Sequence, residues 1–384
     1  MQTRRHALVQ ALAALGALQM GAAGAQSAAQ SGAAPRKIIV GQSVPLTGPA
    51  SGIGLPFAAG AKLYADSAGA RKLTGGWTIE MRQLDDGYDA TRAAANAQRL
   101  IDEGAHLLFG FVGAESSQAG AIVAAQRNVA FLAPFAAPDS LRTRAADHVF
   151  HVRPSMADEA FKMARHCATL GQTRIAVLAQ DDAMGRAGLA ALEAAMREVG
   201  LPAAAATAFV PPNSAKVEAA VAALIKAQPQ AVFVSALFTS SAAVIRQMRR
   251  AGYGGSFITF SVVGIDPLFA DLGKDISGVV MSQVVPSPRT VTLPVVKEYH
   301  AALDSSDQNP CYEGLEGFIA AKALAEAVRR AGAKPTEPGM LRKALASMTD
   351  YDVGGFRLNL RAGVRDASRP VDLITITADG RVLR

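Results

Sequence analysis

Four consecutive apolar residues, Ala231-Val232-Phe233-Val234, are followed after a short break by Phe238, Ala242, Ile245 and Met248, which fall on one side of a helix. A continuous apolar run of strand length predicts a parallel strand covered on both faces, and the 3.6-residue period predicts the helix that covers one of them. The same couple recurs along the chain. Strands are predicted at 37–44, 77–84, 105–111 and 129–133, with helices at 57–70 and 116–127. Between them Asp89 stands as a helix N-cap ahead of an apolar face made by Ala93, Ala97, Leu100 and Ile101. A second series has strands at 174–179, 203–209, 231–235 and 256–260 and helices at 184–199, 214–227 and 238–251. Helical patterning dominates 295–346, and the tail reads as two antiparallel strands, 355–360 and 371–377, around a turn at 363–368.

Repeated strand-helix units of this kind predict an α/β fold with parallel, doubly wound sheets. With 384 residues, half of them hydrophobic, the chain has material for two cores, so two such lobes are expected. The start of the chain stands apart. Arg4, Arg5 and His6 precede a short apolar stretch and then Ala23-Gly24-Ala25, the pattern of an exported protein's signal peptide over 1–25. Its apolar run is too short to span a bilayer, and the paired arginines also fit a twin-arginine export signal. A small-residue linker, 26–35, follows. No cysteine follows the processing site, so no lipid anchor is expected there. Periplasmic localisation is the expectation.

Charge changes the picture little. Loss of the signal removes two arginines and no acid from a net charge of +7. The remaining basic residues are scattered and aromatics make up only 6%, which sets nucleic acid aside as a partner. Cys167 and Cys311 either pair or remain buried thiols. The chain carries no G-x-G-x-x-G, P-loop, G-x-S-x-G or H-E-x-x-H motif, so no enzymatic activity, metal or cofactor is expected. His148 and His151 lie three apart in a strand, on opposite faces, which disfavours a shared metal. Asp85-Asp86 and Asp181-Asp182 are placed to cap the helices that follow them.

In open parallel sheets, ligands bind at the carboxyl ends of the strands, where helix amino termini expose unpaired N–H groups. The loops at those ends are 45–54, 113–118, 134–139, 180–185, 235–240 and 260–264. If two lobes face one another, these loops line a shared cleft suited to capture of a small solute. Arg153 lies where the chain crosses between lobes, which favours a hydrogen bond between them.

The stretches KIIVGQSVPLTGP, DDGYDATRAAANAQRLIDEG, APFAAPDSLR and HVRPSMADEA resemble the type I periplasmic solute-binding proteins of branched-chain amino-acid ABC importers, the Leu/Ile/Val-binding family. The resemblance implies two α/β lobes joined by hinge crossings: 36–153 with 284–345, and 154–283 with 346–384. It implies a monomer that captures an amino-acid-like solute or small organic acid and delivers it to an inner-membrane permease. The alternative is a sensor that signals to a receptor or regulator. Carried over residue by residue, Gly113, Ala114, Glu115 and Ser116 with Phe135, Ala136 and Ala137 match the two loops that hold a ligand carboxylate. Ala114 and Ala137 stand where hydroxyl side chains are usual. Ser261 stands where an acid neutralises the ligand's ammonium. Ile53, Met184, Leu237 and Tyr312 match apolar walls, and Tyr88 and Gly113 match two cysteines that pair in some members. These departures point to a solute that is less polar or differently charged than the family's usual amino acids.

Overall fold

In the first sheet β1 (Lys37–Val44) lies between β2 (Thr78–Asp85) and β3 (Leu107–Phe109), and β4 (Ala130–Leu132) and β5 (Val149–Phe150) continue outward from β3. Every pairing in this sheet is parallel. The computed structural model describes residues 36–136, 138–360 and 371–383. The expected signal peptide and linker, Ala137 and the expected turn at 363–368 lie outside the described residues. The residues Lys37–Arg384 form one compact unit.

The second sheet repeats the plan. β6 (Ile175–Gln180) lies between β7 (Ala206–Val210) and β8 (Ala231–Ser235), followed by β9 (Ser256–Thr259) and β10 (Val279–Gln283), all parallel. The far edge is closed by β13 (Asp372–Ile376), antiparallel to β10, and by β14 (Val382–Leu383), antiparallel to β13. All five residues of β8 are buried, the signature of a strand covered on both faces. The fold is α/β with two parallel-dominated, doubly wound sheets. Among the described residues no helix is long and apolar enough to cross a membrane.

Helices cover the sheets where the apolar period predicts them. On the first sheet these are α1 (Ser51–Ala65), the short α2 (Ala68–Leu73), α3 (Ala90–Asp102) and α4 (Ala114–Gln126). The Asp89 carboxylate caps α3 by accepting from the Arg92 N–H, and Ala93, Ala97 and Leu100 are fully buried. On the second sheet they are α5 (Met156–Thr169), α6 (Ala183–Glu198), α7 (Glu218–Lys226), α8 (Phe238–Arg250) and α9 (Ile265–Leu272). The region after β10 forms α10 (Pro294–Leu303), α11 (Tyr312–Ala331) and α12 (Met340–Ala346).

α11 does not cover the second sheet but crosses α1 backbone to backbone. A methyl group added at Gly60 would stand 1.9 Å from the Gly314 carbonyl oxygen, and the Tyr64 and Phe318 rings pack edge to face at 4.9 Å beside the crossing. The tail departs from expectation. Strand β12 (Arg357–Leu358) pairs with β11 (Tyr351–Asp352), not with the strand at 372–376. Gly354 and Gly355, both at positive φ, allow a tight local turn, and the Asp352 carboxylate receives both of their N–H groups, so the nearer partner wins.

Candidate functional site

Each sheet has one point where the order of strands reverses, between β1 and β3 in the first and between β6 and β8 in the second. Such a reversal opens a crevice at the carboxyl ends of the strands. α4 begins at the first reversal and α6 opens beside the second. Gly113 precedes α4 at φ 105° and offers no side chain to its first turn. A methyl group there would lie 2.6 Å from the Tyr88 ring, so Gly113 is fixed both by its backbone conformation and by its neighbour. Tyr88 and Gly113 are therefore side by side, with the ring of one filling the place of a side chain on the other.

The first-turn N–H groups of α4 have no carbonyl partner within the helix, and no capping side chain serves them. Beside them lies a small space, about 20 Å³, bordered by Tyr88, Gly113, Ala114, Glu115 and Ser116 from the first sheet's loops and by Asp182 and Met184 from the second's. Ala114, Ser116 and Met184 are buried, whereas Glu115 is exposed. The two amino-terminal rims thus meet face to face, nearly closed upon each other. Burial, helped by the carboxylates of Asp182 and Glu115, pushes the Tyr88 phenol up.

Asp182 is the N-cap of α6, accepting from the Gly185 N–H at 2.8 Å, and it also accepts from Gln180. Fully buried Gln180 in turn accepts the N–H groups of Asn213 (3.2 Å) and Leu237 (3.3 Å), tying three loops of the second sheet together. Asp181 pairs instead with Arg186. At the other rim the expected capping by Asp85-Asp86 gives way to a division of labour. Asp85 accepts from Leu46, Thr47 and Gly87, and the Thr47 hydroxyl leads in holding its carboxyl down to about 2. Asp86, fully buried against the Ser43 hydroxyl and the Tyr88 N–H, is pushed up to about 6 by desolvation.

A second group of side chains converges on Arg153. Its Nη2 donates to Ser261 Oγ at 2.9 Å, its Nε lies 3.1 Å from Glu316 Oε1, and its guanidinium stacks 4.0 Å from the centre of the Phe135 ring. Glu159, from the capped first turn of α5, accepts the Ser261 N–H at 2.9 Å and the Ser282 hydroxyl at 2.5 Å. Arg142 holds the crossing from behind by donating to the carbonyls of Arg153 and Pro154. Arg153, Glu159, Ser261 and Glu316 are all buried. Desolvation raises the carboxyl groups of Glu313 and Glu316 to about 7, against the pull of Arg153.

The expected site residues are therefore distributed over neighbouring positions. Gly113, Ala114, Glu115, Ser116 and Met184 share one space. Phe135 and Ser261 meet through Arg153. Tyr312 lines a second small space of about 10 Å³ with Cys311, Glu313, Asp266 and Arg289. Ala136 is buried at positive φ, Leu237 is buried at the start of α8, and Ala137 lies outside the described residues. Ile53 closes against Gly264, where an added methyl would stand 2.6 Å from it. No local pattern signals Glu159, Glu316 and Ser282, because their partners are more than twenty residues away in the chain, 163 in the case of Arg153 and Glu316.

His148 and His151 each place Nε2 against a backbone carbonyl, of Ala121 and Leu141 respectively. Cys167 and Cys311 are both free thiols, Cys167 fully buried and Cys311 capping α11 through the Gly314 N–H. Among the described residues no group of His, Cys, Asp and Glu has the arrangement of a metal site.

Comparison with known proteins agrees with this fold. Residues 37–381 match the family model described as periplasmic binding protein. A substrate-binding periplasmic protein from Ralstonia solanacearum is 32% identical with a TM-score of 0.81, over 90% of this chain and 99% of that one. A possible leucine/isoleucine/valine-binding protein from Rhodopirellula baltica SH 1 is 29% identical with a TM-score of 0.83, over 91% and 97%. A leucine binding protein from Thermotoga maritima MSB8 shares the fold at 20% identity, with a TM-score of 0.77 over 90% and 97%. No curated protein sequence matches the chain.

Proposed function

Because the chain belongs to the periplasmic binding protein family, with the type I fold and a solute-binding role, we propose that it captures one small solute between its two sheets and delivers it to an inner-membrane ABC permease. The solute is amino-acid-like or a small organic acid, and the protein works in the periplasm as a monomer. The observation that carries this reading is the meeting of the α4 and α6 amino termini across a nearly closed space. Backbone N–H groups at 114–116 supply the polar grip that Ala114 lacks, and their geometry suits a carboxylate. The chain crossings near 153, 284 and 345 serve as hinges between 36–153 with 284–345 and 154–283 with 346–384.

Opening these hinges admits the solute; closing them excludes water and strengthens its hydrogen bonds. Glu115, exposed at the rim, opposes an anion there, and solvent screening of that exposed charge leaves the backbone N–H groups to decide the balance. The reading is tested by a thermal-shift screen of the mature protein against amino acids, aliphatic and aromatic acids, and amides. A true solute at a hundred times its dissociation constant adds about 2.7 kcal/mol to stability, a shift of several degrees. Absence of any shift across these classes, with no small molecule released on denaturing the purified protein, would contradict solute capture.

A further inference from the structure

We propose that closing the cleft takes up a proton on Glu313, so that the solute is held more tightly as the surroundings become more acidic. The inference rests on the solute-capture reading and adds proton linkage to it. Glu313 lies in the first turn of α11, which is fixed to α1 of the first sheet by close backbone contact: a methyl group added at Gly317 would stand 2.1 Å from the Phe57 carbonyl oxygen. Gly264 follows β9 of the second sheet and precedes α9. The two elements meet here, because a methyl group added at Gly264 would stand 2.9 Å from Glu313 Oε1 and 2.6 Å from the Ile53 side chain of α1. Glu313 is only 4% exposed. Its carboxyl group is therefore sealed at a seam between the two sheets, and opening that seam lets water reach it.

The two cations near Glu313 are committed to other acids. Arg153 faces Glu316 at 3.1 and 3.4 Å, and Arg289 lies 3.6 Å from Asp266 Oδ1. The remaining neighbours add negative charge or none. Asp266 on α9 and Glu316 on α11 are carboxyl groups, whereas Cys311 and the Tyr299 phenol of α10 stay neutral because burial raises both. A carboxyl group shut away from water among like charges is favoured as the acid. Burial leads in raising Glu313 from 4.5 to about 7, Asp266 and Glu316 add to the rise, and its own backbone N–H and Arg153 oppose it. Hydration in the open form returns the group toward its ordinary value, so closure takes up a proton between these limits and the gain fades as pH rises through 7. Asp86 also titrates near this range, but its partners Ser43 and Tyr88 belong to the first sheet's loops and stay with it when the halves part.

Calorimetric titration at pH 6, 7 and 8, each in two buffers of different ionisation enthalpy, counts the protons taken up with L-leucine, 4-methylpentanoate and 3-phenylpropanoate, none of which titrates in that range. Binding is expected to bring in about half a proton at pH 7 and nearly one at pH 6, with affinity about tenfold higher at pH 6 than at pH 8. Glu313→Gln, which imitates the protonated acid, should abolish the uptake and keep the higher affinity at both pH values. A merely structural role would instead lower affinity at every pH. Asp266→Asn removes a like charge and should shrink the tenfold ratio, which keeps the test alive should Glu313→Gln not fold. Binding indifferent to pH, or uptake that persists in Glu313→Gln, overturns the inference while leaving solute capture standing. If none of the three probes binds, small-angle scattering of the ligand-free protein decides. A form more compact at pH 6 than at pH 8, and equally compact at both in Glu313→Gln, supports the inference; equal native curves at the two pH values overturn it. Native mass spectrometry of the purified protein judges solute capture separately, by whether a small molecule is retained.

Discussion

The rim at Gly113–Ser116 and the crossing at Arg153 both touch Phe135, which accepts the Gly113 N–H and lies under the Arg153 guanidinium, and they are built on opposite principles. At the rim the side chains are small, and the polar groups are backbone N–H donors whose partners the chain does not supply. At the crossing the polar groups are charged side chains that satisfy one another across both sheets. An unfilled set of donors is an invitation to a ligand, whereas a filled network fixes geometry. Changes at the rim should therefore act on binding, and changes at the crossing on stability.

The largest effect is expected from Arg153→Leu. It leaves the buried Glu316 carboxylate without its cation and should cost about 3–5 kcal/mol in urea denaturation, while the double change Arg153→Leu with Glu316→Leu recovers most of the loss. Recovery absent from the double variant would break the description of the crossing as a self-satisfied pair. Next comes pH. Burial raises the Glu313 carboxyl from an ordinary 4.5 to about 7, so the folded protein holds a proton that the unfolded chain has already released. That contribution is complete below pH 4.5 and disappears as pH rises through 7, for a total of roughly 3 kcal/mol. Glu313→Gln should flatten the difference in stability between pH 4.5 and pH 8 by that amount; an unchanged slope would place the titration elsewhere.

A smaller stability effect and a large binding effect should come together in Gly113→Ala. The added methyl meets the Tyr88 ring at a backbone conformation unfavourable to L residues, costing about 1–2 kcal/mol and displacing the α4 rim. Affinity falling no more than stability requires would weaken the rim's assigned role. The smallest effect belongs outside both regions. Lys62→Ala removes an exposed pair with Asp66 on α1 and should change stability by less than about 0.5 kcal/mol, with affinity unaltered.

The amino-acid order made the scaffold readable where one local rule sufficed. β8 begins where its apolar run does and ends one residue past it, because strand propensity, burial and the flanking breaks agree. α1 begins at Ser51, six residues before the expected start, since Pro56 and the glycines at 52 and 54 look like a loop. Packing overrides that look: Gly54 sits against the Pro45 carbonyl, a contact that only glycine permits, and Gly52 fits closely against Pro267. β3 occupies three residues of a seven-residue apolar run, because apolarity reports burial and not ladder pairing. Of the site, the α4 rim was legible from the strand-to-helix transition at 110–116. The Arg153 network was not, since it joins residues 102 to 163 positions apart and no local pattern encodes such a meeting.

The account stands most directly on a calorimetric titration of the native protein and its Ala114→Leu variant with whichever solute gives the strongest thermal shift. Ala114 is buried at the rim, and a leucine there would fill the space in front of the α4 N–H groups. One site per chain and an affinity loss of at least about a hundredfold in a variant that still folds is the predicted result. Equal affinity in the two proteins would mean that the solute sits somewhere other than between these helix ends.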